Sequence, residues 1–237
     1  MKINTTLILS VFLLMSCSNK EIKLPRIGME GIQEIQNYSE IWMFYNENTP
    51  ENPMELNKNN TISTTHWLYN IDKRIPLQYI IPQLEALKFK HANSMHSEKG
   101  MLNYLSYSDT VSNKLSYVSF DEIIFKSDSL QSNFFIKENS KDYENYNNLN
   151  ITINPKNTWI NDAKMEDGEL LTTLPEFIEF SAEDRQTMLH LNFNQEITYQ
   201  DYMNFKAYFN SLIHPSIVIN PIEFIFNPAK VPDCGCE

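Results

Sequence analysis

Apolar positions in the first half of the chain form short blocks with two different periods. Residues 40–45 and 62–71 are rich in aromatic and β-branched side chains and are bounded by turn residues, which is typical of strands. From Pro76 the apolar residues recur at helical spacing to about Phe89, although Pro82 should kink or restart that helix. Two further strands are predicted over 104–107 and 115–125. Residues 39–136 are therefore predicted to form an N-terminal α+β module.

The pattern in residues 149–228 predicts a second α+β module. Alternation over 150–153, a turn and then 158–160 indicate a hairpin, and a helix capped by Asp167 follows. A strand over 188–193 leads to a capping box at Thr198, a second helix and a closing strand over 217–226. The polar segment 137–148 between the modules is predicted to be a linker. The fold class is thus α+β, with a small mixed or antiparallel sheet packed on two helices.

This pattern also fixes an expected strand register in the second module. One sheet face should carry Ile151, Ile153, Leu189, Leu191, Ile217 and Ile219, covered by Leu171, Leu174, Phe205 and Phe209. Asn192 should lie on the opposite, solvated face. Leu191→Asp should therefore unfold the module, whereas Asn192→Asp should be nearly silent.

Weak internal similarities leave two interpretations open. Trp67 and Trp159 are 92 positions apart (159 − 67), residues 122–125 resemble 223–226, and 73–89 can be aligned on 164–180. Such matches fit either two degenerate copies of one module or two unrelated α+β segments.

The N-terminus predicts an exported protein. Lys2 precedes a polar step and an apolar run of about half the length that spans a bilayer, which is typical of a cleaved signal peptide over residues 1–16. The segment Leu14-Met15-Ser16-Cys17 resembles a bacterial lipobox, which makes Cys17 the predicted lipidated first residue. The alternatives are an ordinary secretory signal or a buried cysteine in a short helix. Residues 17–38 are predicted to be a tether.

Composition excludes several classes of function. The 237 residues include 19 Lys and Arg against 30 Asp and Glu, a formal net charge of −11, and 42% are hydrophobic, enough for a core. Because phosphate backbones repel such a chain and no basic block offsets this, nucleic-acid binding is not expected. None of the five glycines forms a phosphate-binding loop, and we predict no cofactor.

Residues of the second module carry a resemblance to a known family. The matching segments are Ile151-Thr152-Ile153, Ile160-Asn161, Leu189-His190-Leu191 with Asn192 and Phe193, and Glu196-Ile197-Thr198-Tyr199. In order and spacing, residues 150–226 resemble the periplasmic domain of the ExbD/TolR family, the partners of proton channels in energised envelope transport. That family has an N-terminal transmembrane helix with a proton-conducting Asp, which this chain replaces with a lipoprotein signal. The resemblance therefore implies a fold and protein recognition at the envelope, without proton coupling.

Residues able to perform chemistry are scattered. The spacing of His91 and His96 suits no shared helix face, no His-Glu metal motif or nucleophile elbow is present, and we predict neither a metal site nor catalytic residues. The five histidines, at positions 66, 91, 96, 190 and 214, are interpreted as surface or capping residues. Core packing is the preferred role of five aromatic residues, namely Trp42, Trp67, Tyr199, Tyr202 and Phe209.

The thiols Cys234 and Cys236 in the tail 229–237 are the one unusual local feature. They could form a strained disulfide, contribute to a larger metal site, pair with another chain or simply oxidise in a loose tail.

The expected protein is a non-enzymatic lipoprotein of the cell envelope, anchored by lipid on Cys17, with the outer membrane facing the periplasm as its expected location. It should bind an envelope protein as an accessory component of an ExbD/TolR-type assembly. The alternative is an envelope hydrolase or redox protein whose site is not visible in sequence.

Overall fold

The computed structural model describes residues 20–94, 100–127, 130–166, 168–212 and 215–231. In this part of the chain, two mixed six-stranded sheets and five helices form an α/β structure, compatible with the predicted α+β class. One contiguous hydrophobic core includes residues from both sheets and from three of the helices.

The first sheet contains three central parallel strands with antiparallel neighbours. Strand β2 is parallel to β4 and β4 to β5, while β3 and β6 pair antiparallel with β2 and β5. The short β1 pairs with β5 on the same side as β4. β4 pairs with residues 103–105 of β5, and β1 pairs with residues 108–109. The elements are β1 (Arg26–Ile27), β2 (Tyr38–Tyr45), β3 (Met54–Asn57), β4 (His66–Ile71), α1 (Leu77–Ala92), β5 (Asn103–Asp109) and β6 (Lys114–Ser119).

The second sheet has the order β10-β9-β8-β11-β12-β7. The hairpin strands are antiparallel, and β8, β11, β12 and β7 are parallel to one another. The elements are β7 (Ile124–Lys126), α2 (Ser132–Glu138), α3 (Ser140–Tyr143), β8 (Asn147–Ile153), β9 (Thr158–Ile160), β10 (Ala163–Met165), α4 (Leu170–Ser181), β11 (Thr187–Asn194), α5 (Tyr199–Ser211) and β12 (Ile217–Phe226).

Most of the predicted elements are present, and two details of the helices stand out. Helix α1 continues through Pro82 without interruption, because its inward residues Ile80, Ile81 and Leu84 are buried and hold it in place. Thr198 caps α5 as predicted, its side chain accepting from the backbone N–H of Asp201.

The two sheets meet through a reciprocal set of hydrogen bonds. Leu77 N–H donates to Ile197 O (3.0 Å) and Tyr199 N–H donates to Ile75 O (2.9 Å). Farther out, Gln78 N–H donates to Gln195 O and Gln200 N–H donates to Lys73 O. Residues of the two connections correspond at an offset of 122 positions (199 − 77). When each residue is replaced by its counterpart at this offset, one bond of each pair becomes the other bond of the same pair. The connections β4-to-α1 and β11-to-α5 are therefore related by a local twofold axis.

The turns in these connections are also built alike. The side-chain oxygen of Asp72 accepts from Arg74 N–H, as that of Asn194 does from Glu196 N–H. Neither the offset of 92 nor that of 101 relates equivalent positions. Trp67 lies on β4 inside the first sheet and Trp159 on a hairpin, while Glu223 pairs with Phe125 on adjacent strands of one sheet.

Residues 20–38 do not form the free tether that was predicted. Lys23 N–H donates to the buried Asp72 carboxylate (3.0 Å), and Lys73 N–H donates to Lys23 O (2.7 Å). β1 then joins the first sheet, and Ile32 forms a bridge with Tyr117. Paired backbone groups therefore hold this segment against the body of the protein.

The predicted linker 137–148 also differs from the structure. It contains the end of α2, all of α3 and the start of β8. Phe135 of α2 contacts Phe224 and Tyr143 of α3 contacts His190, so both helices pack on the second sheet. The chain crosses between the sheets earlier, before β7, which pairs with β12 although it belongs to the predicted first module.

Candidate functional site

A row of amide side chains lies on one face of the second sheet. β8 alternates the buried Leu149, Ile151 and Ile153 with Asn148, Asn150 and Thr152. Because β11 is parallel to β8 and pairs His190 with Asn150 and Asn192 with Thr152, the polar side chains of both strands share a face.

Helix α2 closes over this face, and its Ser132 bonds to the polar row. Ser132 N–H donates to Asn192 Oδ1 (2.6 Å), and Asn192 Nδ2 donates to Ser132 Oγ (2.8 Å). Ser132 Oγ in turn donates to Asn150 Oδ1 (2.6 Å). Asn192 is fully buried, so the prediction that it faces solvent is wrong. The helix that covers it, α2, begins before the predicted linker.

His190 lies deeper along the same face, between two amides. Its Nε2 is 2.9 Å from Asn148 Oδ1, and its Nδ1 is 3.0 Å from Asn220 Nδ2. The other bonds of each amide fix its orientation, because Asn148 Nδ2 donates to the Tyr143 carbonyl while Asn220 Oδ1 accepts from Ile222 N–H. The imidazole is therefore neutral, with its proton on Nε2. Burial lowers the pKa of His190 from 6.5 to about 4.

Beside this network the sheet opens into a polar cavity of about 460 Å³, the amide cleft. It is lined by Gln131, Ser132, Asn133, Asn148, Asn150, Thr152, Asn161, Asp162 and Asn192. Amide and hydroxyl groups can both donate and accept hydrogen bonds, and the one charged residue in the lining is Asp162. Such a surface suits an uncharged, hydrogen-bonding ligand.

Three lining residues are open to such a ligand. Among the described residues, the side chains of Gln131, Thr152 and Asp162 have no hydrogen-bond partner, whereas the inner groups bond one another. Asn161 bridges the two sets, because its Oδ1 accepts from Asn150 N–H (2.9 Å). The cleft thus has a preorganised floor and a free rim.

The structure places the other predicted histidines apart from this cleft. His91 is buried, stacks on Trp67 with ring centroids 4.2 Å apart, and lies 3.0 Å from both Asn103 Oδ1 and the Thr65 carbonyl. The Nδ1 of His66 accepts from Leu102 N–H. His91 and His190 are buried and bonded to side chains of other elements, so the prediction that they are surface or capping residues is wrong.

Several predicted residues lie outside the described part of the chain: Cys17, His96, Asp167, His214, Cys234 and Cys236. Within the described part, no cluster of three or more His, Cys, Asp or Glu side chains could hold a metal ion. No helix of that part has the length and apolarity needed to cross a bilayer. Four of the five selected aromatic residues, Trp67, Tyr199, Tyr202 and Phe209, are core residues, whereas Trp42 is half-buried on the first sheet.

Sequence reasoning missed the cleft, although a signal for it was present. Asn148, Asn150 and Thr152 alternate with apolar residues, and such a strand usually turns its polar side chains to water. β11 carries a similar polar set at His190, Asn192 and Asn194. Two neighbouring strands therefore have polar side chains on the same face. That coincidence could have indicated a shared polar site.

Comparison with known proteins finds no relative of this chain. No protein-family model, curated protein or solved structure matches this chain.

Proposed function

We propose that this chain is a lipid-anchored protein of the bacterial cell envelope that acts by binding another protein, as an accessory component of an ExbD/TolR-type assembly. The amide cleft carries this proposal. An asparagine side chain offers the same donor and acceptor as a peptide group, so a row of them can pair with an extended segment of a partner. The free rim of Gln131, Thr152 and Asp162 is where that segment would bind.

Binding is favoured over the alternative of a hydrolase or redox protein by how the reactive groups are engaged. Ser132 Oγ donates to an amide oxygen and accepts from another amide, and both nitrogens of His190 bond to amides. A nucleophile needs a nearby base, and here each candidate group holds the structure together instead.

Affinity isolation tests the binding function. The full chain with a C-terminal tag should co-purify ExbD/TolR-type envelope proteins. Replacing both Gln131 and Asp162 by Ala should abolish that capture without changing the melting temperature, because their side chains make no hydrogen bond in the described structure. The exposed loop residue Asn60 provides a matched control, Asn60→Ala, which should retain capture. Equal capture by the cleft variant would refute the cleft as the site, and recovery of background alone would refute binding.

The lipid anchor has its own test. Cys17→Ser removes the thiol that would be acylated, so the precursor should stay unprocessed and leave the detergent phase. Unchanged detergent partitioning of this variant would contradict the anchor.

We further infer that the two sheets are two degenerate modules of one duplicated ancestor. The reciprocal hydrogen bonds and matching turns of the two strand-to-helix connections support this. So does the sequence, in which Asn70, Ile75 and Gln78 recur as Asn192, Ile197 and Gln200. Fragments 20–122 and 123–231 should then each unfold cooperatively. Fragments that stay unfolded would argue against separable modules.

A further inference from the structure

His91, at the end of α1, is buried between two polar groups of the first module. Its Nε2 lies 3.0 Å from the Thr65 carbonyl oxygen, and its Nδ1 lies 3.0 Å from Asn103 Oδ1. A carbonyl oxygen can only accept, so the first contact requires a proton on Nε2. Whether Nδ1 also carries a proton depends on which end of the Asn103 amide faces the ring.

The other hydrogen bonds of Asn103 fix the orientation of its amide. Asn103 Nδ2 donates to Asp121 Oδ1 and Asn103 N–H donates to Asp121 Oδ2, both at 2.6 Å. The Tyr69 hydroxyl donates to Asn103 Oδ1 (3.1 Å). Turning the amide over would place its oxygen against the carboxylate, with no proton between two acceptors. Asn103 therefore presents its oxygen to His91, and both ring nitrogens face acceptors.

A neutral imidazole cannot satisfy both of these acceptors, because only one of its nitrogens carries a proton. The other nitrogen would point its lone pair at an oxygen 3.0 Å away, in a side chain that is buried. His190 is the opposite case, since one of its nitrogens meets a donor and the other an acceptor. The same reasoning that makes His190 neutral thus gives His91 two protons.

Two neighbours stabilise a positive charge on the His91 ring. Trp67 lies face to face with it, with the ring planes 5° apart, and the face of an indole ring attracts a cation. The Asp121 carboxylate lies on the far side of the Asn103 amide. This carboxylate is held in its ionised form, because it accepts from both N–H groups of Asn103 and from the Ser119 hydroxyl.

The remaining titratable groups around the ring are Tyr69 of β4 and Lys88 of α1. Burial and the charge of Asp121 raise the pKa of Tyr69, so its hydroxyl stays neutral. Lys88 donates to the backbone carbonyls of Phe120, Asp121 and Ile123, and burial lowers the pKa of its ammonium. Among the described residues, Asp121 is the one acidic side chain bonded in this network.

We propose that His91 is a buried imidazolium whose proton locks the end of α1 to the first sheet. The histidine lock consists of His91, Asn103 and Asp121. When base takes the proton to water, one of the two contacts of the ring becomes a repulsion between a lone pair and an oxygen, and the end of α1 is released. Because the folded chain holds this proton more tightly than the unfolded chain, raising the pH favours release, the opposite of its effect at His190.

Nitrogen-15 NMR of the histidine side chains tests the protonation, in the mature chain expressed in soluble form from Ser18. The His91 ring is assigned by its nuclear Overhauser contacts to Trp67. At pH 7 it should show two protonated nitrogens of similar chemical shift, whereas His190 should show one protonated and one bare nitrogen. A neutral His91 in the folded chain would refute the imidazolium.

Two substitutions in the turn after β6 test the role of the carboxylate. Asp121→Asn removes the balancing charge, so the imidazolium signal should be lost at a pH about one unit lower. Glu122→Gln is the matched control, because it removes a charge from the same turn and, among the described residues, its exposed side chain has no hydrogen-bond partner. Equal titrations of His91 in the two variants would refute the part of Asp121 in the lock.

Hydrogen exchange tests the lock itself. Protection factors, which correct for the intrinsic effect of base, should fall about tenfold in the last turn of α1 over the pH range in which His91 loses its proton, and stay constant in α5. An imidazolium whose loss leaves this turn equally protected would refute the lock. If Asp121→Asn does not fold, the unsubstituted chain still decides, since His190 is its internal neutral control.

Discussion

Protonation of His190 should oppose folding. The ring is fully buried, and Asn220 Nδ2 points a donor at Nδ1, so a proton added there would meet another donor. The ring centroids of His190 and Tyr143 are 5.2 Å apart, and among the described residues no carboxylate is bonded to the imidazole to stabilise its charge. Burial accordingly lowers the pKa of His190 to about 4, against 6.5 for a free histidine.

The sign depends on which state binds the proton more readily. Between pH 6.5 and 4 the unfolded chain is protonated at this position and the folded chain is not, so acid favours unfolding. The neutral His190 contributes fully to the free energy of unfolding above pH 6.5. This contribution falls as the pH drops towards 4 and does not change further below that pH. At about 1.4 kcal/mol per pH unit the whole effect approaches about 3 kcal/mol, and at pH 4.5 it is about 2.5 kcal/mol.

Urea denaturation of a soluble form starting at Ser18 measures this, when the chain is compared with His190→Gln at pH 7.5 and 4.5. The difference in unfolding free energy between the two should shift by about 2.5 kcal/mol in favour of Gln at the lower pH. Carboxylates titrate alike in both chains and cancel in this difference. A difference that does not change with pH would refute the account of a neutral, locked imidazole.

Three further substitutions test the packing around the site and the N-terminal segment. Asn192→Asp should cost several kcal/mol in a urea melt, because it buries a charge and removes the donor to the first residue of α2, and a silent result would contradict the burial of this face. Gly31→Ala should cost about 1–3 kcal/mol, since its Cβ would overlap a tyrosine hydroxyl, whereas in Gly28→Ala the new methyl meets its nearest neighbour at 3.6 Å and should be tolerated. Asp72→Asn keeps the turn but weakens the ion pair with Arg74, so it should lower the free energy of unfolding by about 2 kcal/mol. It should also make the N-terminal segment sensitive to protease, and unchanged digestion would refute the docking of that segment.

The strands and long helices were predictable because each has one apolar face. β8 with its alternating pattern and α5 with its capping box are signals local to a few residues. The pairing of β7 with β12 was not predictable, because its three residues carry almost no period and its partner lies about a hundred positions away. Helix α3 and the end of α2 were missed as well, because they lie in a polar segment whose composition is that of a linker.

The two strand-to-helix connections share a hydrogen bond although their side chains differ. Asp72 and Asn194 differ in charge, yet each offers an oxygen to the backbone N–H two residues on, and this is what the turn requires. The buried Ile75 and Ile197 that come next are identical. An alignment that maximises matching letters selects the tryptophans instead, since it gives no weight to a hydrogen bond that two residue types can make.

The outer faces of the two sheets set the limit of what a pattern can reveal. The predicted alternation places Asn192 and Leu191 on opposite faces of the second sheet, and this placement holds. In the first sheet, Trp42 is half-buried while its neighbour Met43 lies in the core. What each outer face then meets depends on chain far from the strand: Ser132, sixty residues before Asn192, closes one face, and the N-terminal segment begins over the other. A buried polar network and a half-buried aromatic surface thus arise from strands of the same period. The segments that pack on each sheet from elsewhere in the chain decide that outcome.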